Sequence, residues 1–421
     1  MQRDNEWVDY WNSYSNRRQF SISTTNPVRN AEGVVGGYAK AEYDKLKALY
    51  DTYATTPSAA NLEALSKAID QTPRLAAAPM QVYRLRNKYT DNGTLYLSAS
   101  DSRLSGQNVS NDQSQLFSLV PGRKANTWRI YSLHAKKYVG TLPAYGTEAP
   151  LTADINQAAD YAINTSASTY TATLTAATPT DATYNALHLG KRNRIEPWTT
   201  TDESAQWYME QVADEFAPVY AFHLVEGCDY QTTYLPYAFT VPQGMTAGTI
   251  TDATAKSGLQ INYAYPAGST VPALTPVLLK GTAAESYEVA LSKATSNGAA
   301  PSKNLLHGSL TDATTTADGD NLYYKLCFNN EQSAYGFFWG ADQGAPFTTK
   351  AYKAFLALPR AQAEALQRNG FVLNGDATSI GSVITTDADA PSAIYDLQGR
   401  RLQQVPARGV YITTGGKKVI R

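Results

Sequence analysis

The sequence predicts a mainly β, multidomain chain: a short helical hairpin, a threefold β-barrel, a β-sandwich-like domain and a C-terminal β-hairpin tail. Three observations point there. Residues 80–212 repeat one short unit three times, strand-length apolar alternations recur from 219 to about 372, and helical periodicity is confined to residues 38–72. A chain of 421 residues with 43% hydrophobic side chains can bury several cores, and its length fits about three domains.

Bulk composition narrows the function classes. The formal charge is −1, from 36 basic and 37 acidic residues, which argues against a nucleic-acid binder. Charged residues make up 17%, below the usual share for soluble domains, a balance suited to β-rich extracellular proteins with hydroxyl-lined surfaces. Cys228 and Cys327 are the only cysteines, so there is no disulfide framework; two free buried thiols and a single bridge are both open. No apolar run reaches the length of a transmembrane segment. The first residues carry no apolar leader core, so an exported form would have its leader upstream of Met1 or already cleaved.

Residues 1–35 are aromatic and polar without a period, with Trp7, Tyr10, Trp11, Tyr14 and Phe20. Such a cluster at a chain start could pack onto a later domain or be the final strand of a missing preceding domain; the second is the expectation, because exposed apolar patches usually mark contact surfaces. The next element covers 36–79. Gly36 and Gly37 break the chain, then Tyr43, Leu46, Tyr50 and Tyr53 form one helical stripe and Leu62, Leu65 and Ile69 a second. Thr56 is the expected N-cap of the second helix, with Pro57 at its first position. The hairpin reads as a spacer, with a partner-binding helix pair as the alternative.

Residues 80–214 hold the repeat. Three apolar triplets, Leu95-Tyr96-Leu97, Lys137-Tyr138-Val139 and Leu187-His188-Leu189, are each closed by a small residue, with centres 42 and 50 apart (138 − 96 and 188 − 138). A second marker, Gln115-Leu116-Phe117, Ala159-Asp160-Tyr161 and Gln206-Trp207-Tyr208, follows the triplet centres by 21, 23 and 20 residues. Two markers in step three times signal a repeat, and three such units can close into a barrel with a hairpin cap. The Gln-x-Trp-like endings resemble those of the ricin-type β-trefoil family, which implies a β-trefoil with carbohydrate-binding loop tips. Sugar binding needs an aromatic face and a carboxylate or amide for vicinal hydroxyls. The first unit offers Asp101, Asn111 and Gln115, and the third offers Trp198, Asp202 and Gln206, with Trp198 the best stacking candidate. The competing reading is that Gln115 and Gln206 satisfy internal turns and that Trp198 packs as a cap.

From 215 to 372, alternations such as 220–225, 259–263, 277–280, 287–291, 323–328, 336–339 and 354–358 are punctuated by turn residues and predict a sandwich or jelly-roll-like domain. The succession 275–281, 304–310, 336–338, 350–352 and 355–359 resembles a C-terminal β-domain of secreted Bacteroidota proteins. The last stretch, 373–421, is a polar linker and a strand-rich tail. Its Tyr395-Asp396-Leu397-Gln398-Gly399-Arg400, Arg408-Gly409-Val410-Tyr411-Ile412 and terminal Lys-Lys-Val-Ile are similar to type IX secretion sorting domains, which implies export or surface attachment.

Catalytic signatures are sparse. His134, His188, His223 and His307 stand apart in sequence, with no metal-ligand spacing, nucleophile elbow or phosphate loop. His188, in the triplet position of Tyr96 and Tyr138, reads as a packing residue. Glu196, Asp202 and Glu203 near Trp198 are the one place for acid–base work on a sugar, although a carboxylate pair needs a separation that sequence does not give. The expectation is therefore an exported or cell-surface protein without catalytic, metal or cofactor residues in this stretch, binding a glycan or other extracellular polymer. The alternative is part of a secreted glycosidase or peptidase whose catalytic domain lies upstream or within 215–372.

Overall fold

The computed structural model describes residues 26–91, 93–255, 258–293, 303–315, 320–366 and 370–373, together with the backbone of short strands near both ends. Six strands close a ring: Val82–Asn87, Phe117–Pro121, Trp128–Ser132, Tyr161–Thr165, Ala172–Ala176 and Trp207–Val212, the last pairing back onto the first. Three hairpins rise from alternate members of that ring: Tyr96–Ala99 with Leu104–Gln107, Lys137–Val139 with Leu151–Thr152, and Ala186–Leu189 with Ile195–Trp198. A six-stranded barrel capped by three hairpins is a β-trefoil, and closure leaves the ring without an open edge. Its core gathers Leu97, Leu119, Ile130, Val139, Leu174, Leu187 and Trp207, all essentially buried.

The pairing corrects the register of the repeat. Arg86 pairs with Tyr96 and Tyr96 with Gln107; Tyr131 pairs with Tyr138 and Tyr138 with Thr152; Thr175 pairs with Ala186 and Ala186 with Trp198. Tyr96 and Tyr138 are thus equivalent, but their counterpart is Ala186; His188 corresponds to Ser98 and Gly140. The Gln-x-Trp-like positions shift too. Each begins after an aspartate, Asp112, Asp154 or Asp202, whose side chain accepts a backbone N–H and starts a short 3-10 turn. The aligned core positions are Phe117, Ala159 and Trp207, each 20 residues after Leu97, Val139 or Leu187 (117 − 97, 159 − 139, 207 − 187). Alternation along the strand let a triplet two residues further on look equally good.

The helical hairpin forms at Lys40–Thr55 and Ala59–Gln71. Leu46 and Leu65 are the buried members of the two stripes. The N-cap of the second helix is Ser58, whose hydroxyl accepts the Asn61 N–H at 3.1 Å, so Thr56 closes the first helix and Pro57 lies before the cap. The pair packs on the barrel through Tyr38, Leu46, Tyr170 and Tyr208. Residues 26–35 belong to this same body: Val28, Ala31, Val34 and Val35 are buried, and Val34 bridges Glu210 on the last barrel strand. The aromatic side chains on which the reading of a missing preceding domain rests, all before residue 26, lie outside the described residues.

After the barrel, three sheets stack. The first joins Val219–His223, Ser286–Ser292, Ala238–Thr240 and Thr270–Val271; the second joins Tyr230–Thr233, Val277–Lys280, Thr246–Thr254 and Gly258–Tyr265. The third joins Leu306–Ser309, Lys353–Pro359, Asn321–Asn329, Ala334–Trp339 and Gly370–Val372. The middle sheet is covered on both faces: Val277 and Leu279 enter one core, Leu278 the other. A strand buried on both sides reads as a continuous apolar run rather than an alternation, and that is what residues 277–279 show. The sandwich-like expectation therefore becomes a three-layer β stack.

The barrel is joined to the first sheet by a second apolar cluster that includes Tyr131, Tyr138, Ile155, Val219 and Ala221. Around it, Tyr138 donates its hydroxyl to Glu288 at 2.6 Å and Arg123 Nε donates to Ser286 Oγ at 2.8 Å. Cys228 and Cys327 are free, which closes the bridge alternative. In the tail, Ile394–Tyr395 pairs with Arg401–Leu402 and Val410–Thr413, and Val410–Thr413 pairs with Lys418–Ile420. The side chains carrying the sorting-domain resemblance lie outside the described residues.

Candidate functional site

The hairpin pairing decides where an aromatic can stand at the barrel rim. Gln107, Thr152 and Trp198 are equivalent, so only the third unit has a ring there. Trp198 does not stand alone. Its ring lies 5.0 Å from Tyr145, 5.3 Å from Tyr184 and 5.5 Å from His188, and Tyr145 is 5.0 Å from Tyr184. Tyr184 precedes the third hairpin, whereas Tyr145 comes from the loop between the two hairpin strands of the second unit, so the cluster spans two units. Tyr145 is 56% exposed, a large value for an aromatic ring, and it gives the cluster its open surface.

Asp202 organises the polar side. Its Oδ1 accepts the Ser204 backbone N–H at 2.9 Å as well as the Ser204 hydroxyl, and its Oδ2 accepts the Trp198 indole N–H at 3.2 Å. The Ser204 hydroxyl is the main reason its carboxyl titrates below the usual range. A carboxylate has about four lone-pair sites, so this one can hold Trp198 in place and still accept a ligand hydroxyl. His188 is buried beneath the indole, with burial lowering its pKa, and its Nδ1 has no hydrogen-bond partner. A neutral, packed imidazole fits the packing role expected of it, although it packs as the floor of a site rather than at the position expected.

The other candidates separate from this cluster. Gln115 is fully buried: its Oε1 accepts the Ser110 N–H at 2.9 Å and its Nε2 donates to the Asn108 carbonyl at 2.6 Å. Both ends of the amide are used inside the turn, so Gln115 is a clamp and not a ligand contact. Gln206 accepts from Lys88 Nζ and from the Thr171 hydroxyl, each at 3.2 Å, and among the described residues no hydrogen bond joins it to the rings. Asp101 sits on the first hairpin tip with its side chain 92% exposed, 3.6 Å from His134 Nε2. Asn111 is exposed in the turn before Asp112. Asp101, Asn111 and Gln115 share no hydrogen bond with one another among the described residues.

The carboxylates near Trp198 are individually engaged. Glu196 is buried and pairs with Arg194 at 3.3 Å, and Glu203 pairs with Lys88 at 3.0 Å. Among the described residues, no group of three or more His, Cys, Asp or Glu side chains is arranged to hold a metal. Sequence reading found Trp198 and Asp202 but missed Tyr145 and Tyr184. Tyr145 is 53 residues before Trp198 (198 − 145), and nothing in the local pattern marks two loops of different units as neighbours.

No protein-family model matches this chain, and no curated protein matches it. Solved structures do. The chain is similar to a structure titled "BEL beta-trefoil" (14% identity, 32% of this chain and 95% of that one, TM-score 0.27). It is also similar to the Rhizoctonia solani agglutinin (16% identity, 32% and 97%, TM-score 0.27). A third is the Macrolepiota procera ricin B-like lectin in complex with lactose (15% identity, 32% and 98%, TM-score 0.27). The β-trefoil assignment itself is carried by the closed ring and its three hairpins.

Proposed function

We propose that this chain is a non-catalytic, exported or cell-surface protein, or the C-terminal portion of one, whose β-trefoil binds a glycan through the third unit. The observation that carries the reading is the open ring cluster of Tyr145, Tyr184 and Trp198 beside Asp202. An aromatic face takes the C–H side of a sugar ring, and a tethered carboxylate accepts from vicinal hydroxyls. The Bacteroidota-type tail resemblance supports export, and the stacked β-sheets then serve as scaffold.

The test is a glycan array with the whole chain, followed by titration of any hit with Trp198→Ala and Tyr145→Ala. Losing one stacking ring is expected to weaken binding by about tenfold or more, on the order of 1–2 kcal/mol. Binding that survives both substitutions unchanged, or the absence of any glycan hit, would remove this reading.

A further inference from the structure

A second concavity lies away from the ring cluster. Trp128 begins the strand whose other end, Tyr131 and Ser132, carries the second hairpin, and Ile163 and Thr165 continue past the Tyr161–Trp128 pair. These residues therefore mark the barrel end opposite the hairpins. There, the segment leaving the helical hairpin crosses the barrel mouth and leaves a cavity of about 280 Å³ lined by Val35, Leu75, Ala77, Trp128 and Ile163, with Arg74 at its edge.

The walls are mainly apolar side chains, with Gly36 and Thr165 completing them, and part of the wall's backbone is already hydrogen-bonded. Gly36 donates to the Leu75 carbonyl at 2.7 Å, and Leu75 donates to the Gly37 carbonyl at 2.8 Å. Arg74 is different. Its guanidinium lies 4.4 Å above the Tyr38 ring and 5.3 Å from that of Tyr170, and Nη1 donates to the Gly36 carbonyl at 3.4 Å. Among the described residues no carboxylate lies within ion-pair distance of it. A guanidinium offers five N–H donors in a planar fork matched to a carboxylate. Here the fork is oriented by two tyrosine rings, and Arg74 is one of the residues that line the cavity.

We propose that this cavity binds a small organic carboxylate with an apolar body, an arylalkanoate or a short-chain fatty acid, with the carboxylate on Arg74 and the body against Trp128 and Ile163. The site lies on a different face from the ring cluster and does not depend on the glycan reading.

Calorimetric titration of the whole chain with 3-phenylpropionate, hexanoate and the neutral analogue 3-phenylpropanol tests it. Saturable binding of at least one acid is expected, weakened by at least about tenfold for the alcohol and for Arg74→Gln, since a hydrogen bond to a charged group contributes about that factor. Ala77→Phe, which fills the chamber, should abolish binding. Arg74 is exposed, so Arg74→Gln keeps the fold even if Ala77→Phe does not, and thermal melting of both variants checks this. No saturable binding of either acid, equal affinity for acid and alcohol, or unchanged binding in Arg74→Gln would overturn the proposal.

Discussion

The second and third units of the barrel share one frame and present different surfaces. Both start their last turn with an aspartate cap, and both place a hairpin at the same point on the ring. In the third, the rim position holds Trp198, with Tyr184 beside it and Tyr145 reaching over from the second unit. In the second, the same position holds Thr152, and its flank, Tyr131, Leu133, Tyr138, Ile155 and Ala158, is buried against Ala217, Val219 and Ala221. The lesson is that pseudo-threefold symmetry of the backbone leaves each face free to take its own task. One face docks the β-stack, one offers rings to solvent, and the first unit has exposed Gln107 at the rim in place of a ring.

The largest expected effect breaks the comparison at the core. Trp207 is fully buried and its indole N–H donates to the Leu187 carbonyl at 2.9 Å, whereas the equivalent residue of the second unit is Ala159. That unit fills its share of the core with Tyr161, buried with its hydroxyl on the Gly140 carbonyl at 3.0 Å. Trp207→Ala should cost about 3–5 kcal/mol in urea unfolding, because a large side chain leaves a cavity that the barrel cannot close. Ala159→Gly should cost roughly 1 kcal/mol or less. Similar losses at the two positions would mean that the units do not divide the core in this way.

The next effect belongs to the docking unit. His223, on the first sheet, approaches the Pro121 carbonyl with Nε2 at 2.5 Å and Ser286 Oγ with Nδ1 at 2.8 Å. A carbonyl only accepts, so Nε2 carries the proton and Nδ1 accepts from the serine, whose oxygen accepts from Arg123. Protonating Nδ1 would make it a second donor to the serine oxygen, which already accepts from Arg123, and place a cation near Arg123 and Arg129 with Asp160 in opposition. Burial above all holds the His223 pKa down to about 4, below its ordinary 6.5. Because the folded value is the lower one, the unfolded chain binds the extra proton first. Stability is complete above pH 6.5 and falls as pH drops to about 4, by roughly 3 kcal/mol in total. Urea unfolding at pH 7 and pH 4.5 should show a smaller acid loss in His223→Gln than in the wild type, since the carboxylates titrate in both. Parallel losses would show that this histidine does not govern the junction.

Much of this division could be seen in the residues, for reasons that also explain the failures. The barrel was legible because burial requires the same apolar spacing three times, and the helical hairpin because Leu46 and Leu65 sit on clean stripes. The register was not, because Leu187 and Leu189 alternate about His188 as Leu95 and Leu97 do about Tyr96. Two residues along a strand return to the same face, so a shift of two is invisible to a pattern of burial. The third sheet was hidden for a related reason: Leu278 points to a layer that is contributed 28 to 93 residues later (306 − 278 and 371 − 278). At the candidate site, Trp198 and Asp202 were visible because they lie four residues apart in sequence (202 − 198). Tyr145 was not, because only closure of the barrel brings its loop alongside.

The smallest expected effect sharpens the comparison most. Asp112, Asp154 and Asp202 perform one structural task, each accepting the backbone N–H two residues on, at 2.8, 2.9 and 2.9 Å. Replacing any of them with Ala removes one cap, and each variant should melt roughly 1–3 °C lower than the wild type. Only Asp202 also holds an indole, through Oδ2. If the third unit alone takes ligand, Asp202→Ala should weaken glycan binding by about tenfold while Asp112→Ala and Asp154→Ala leave it unchanged. Asp202→Asn, which keeps an oxygen for the backbone N–H but only one acceptor in all, should retain the melting temperature and lose the binding. A set in which all three alanine variants lose binding equally would tie recognition to the stability of the barrel as a whole, and the distinction between its faces would fall.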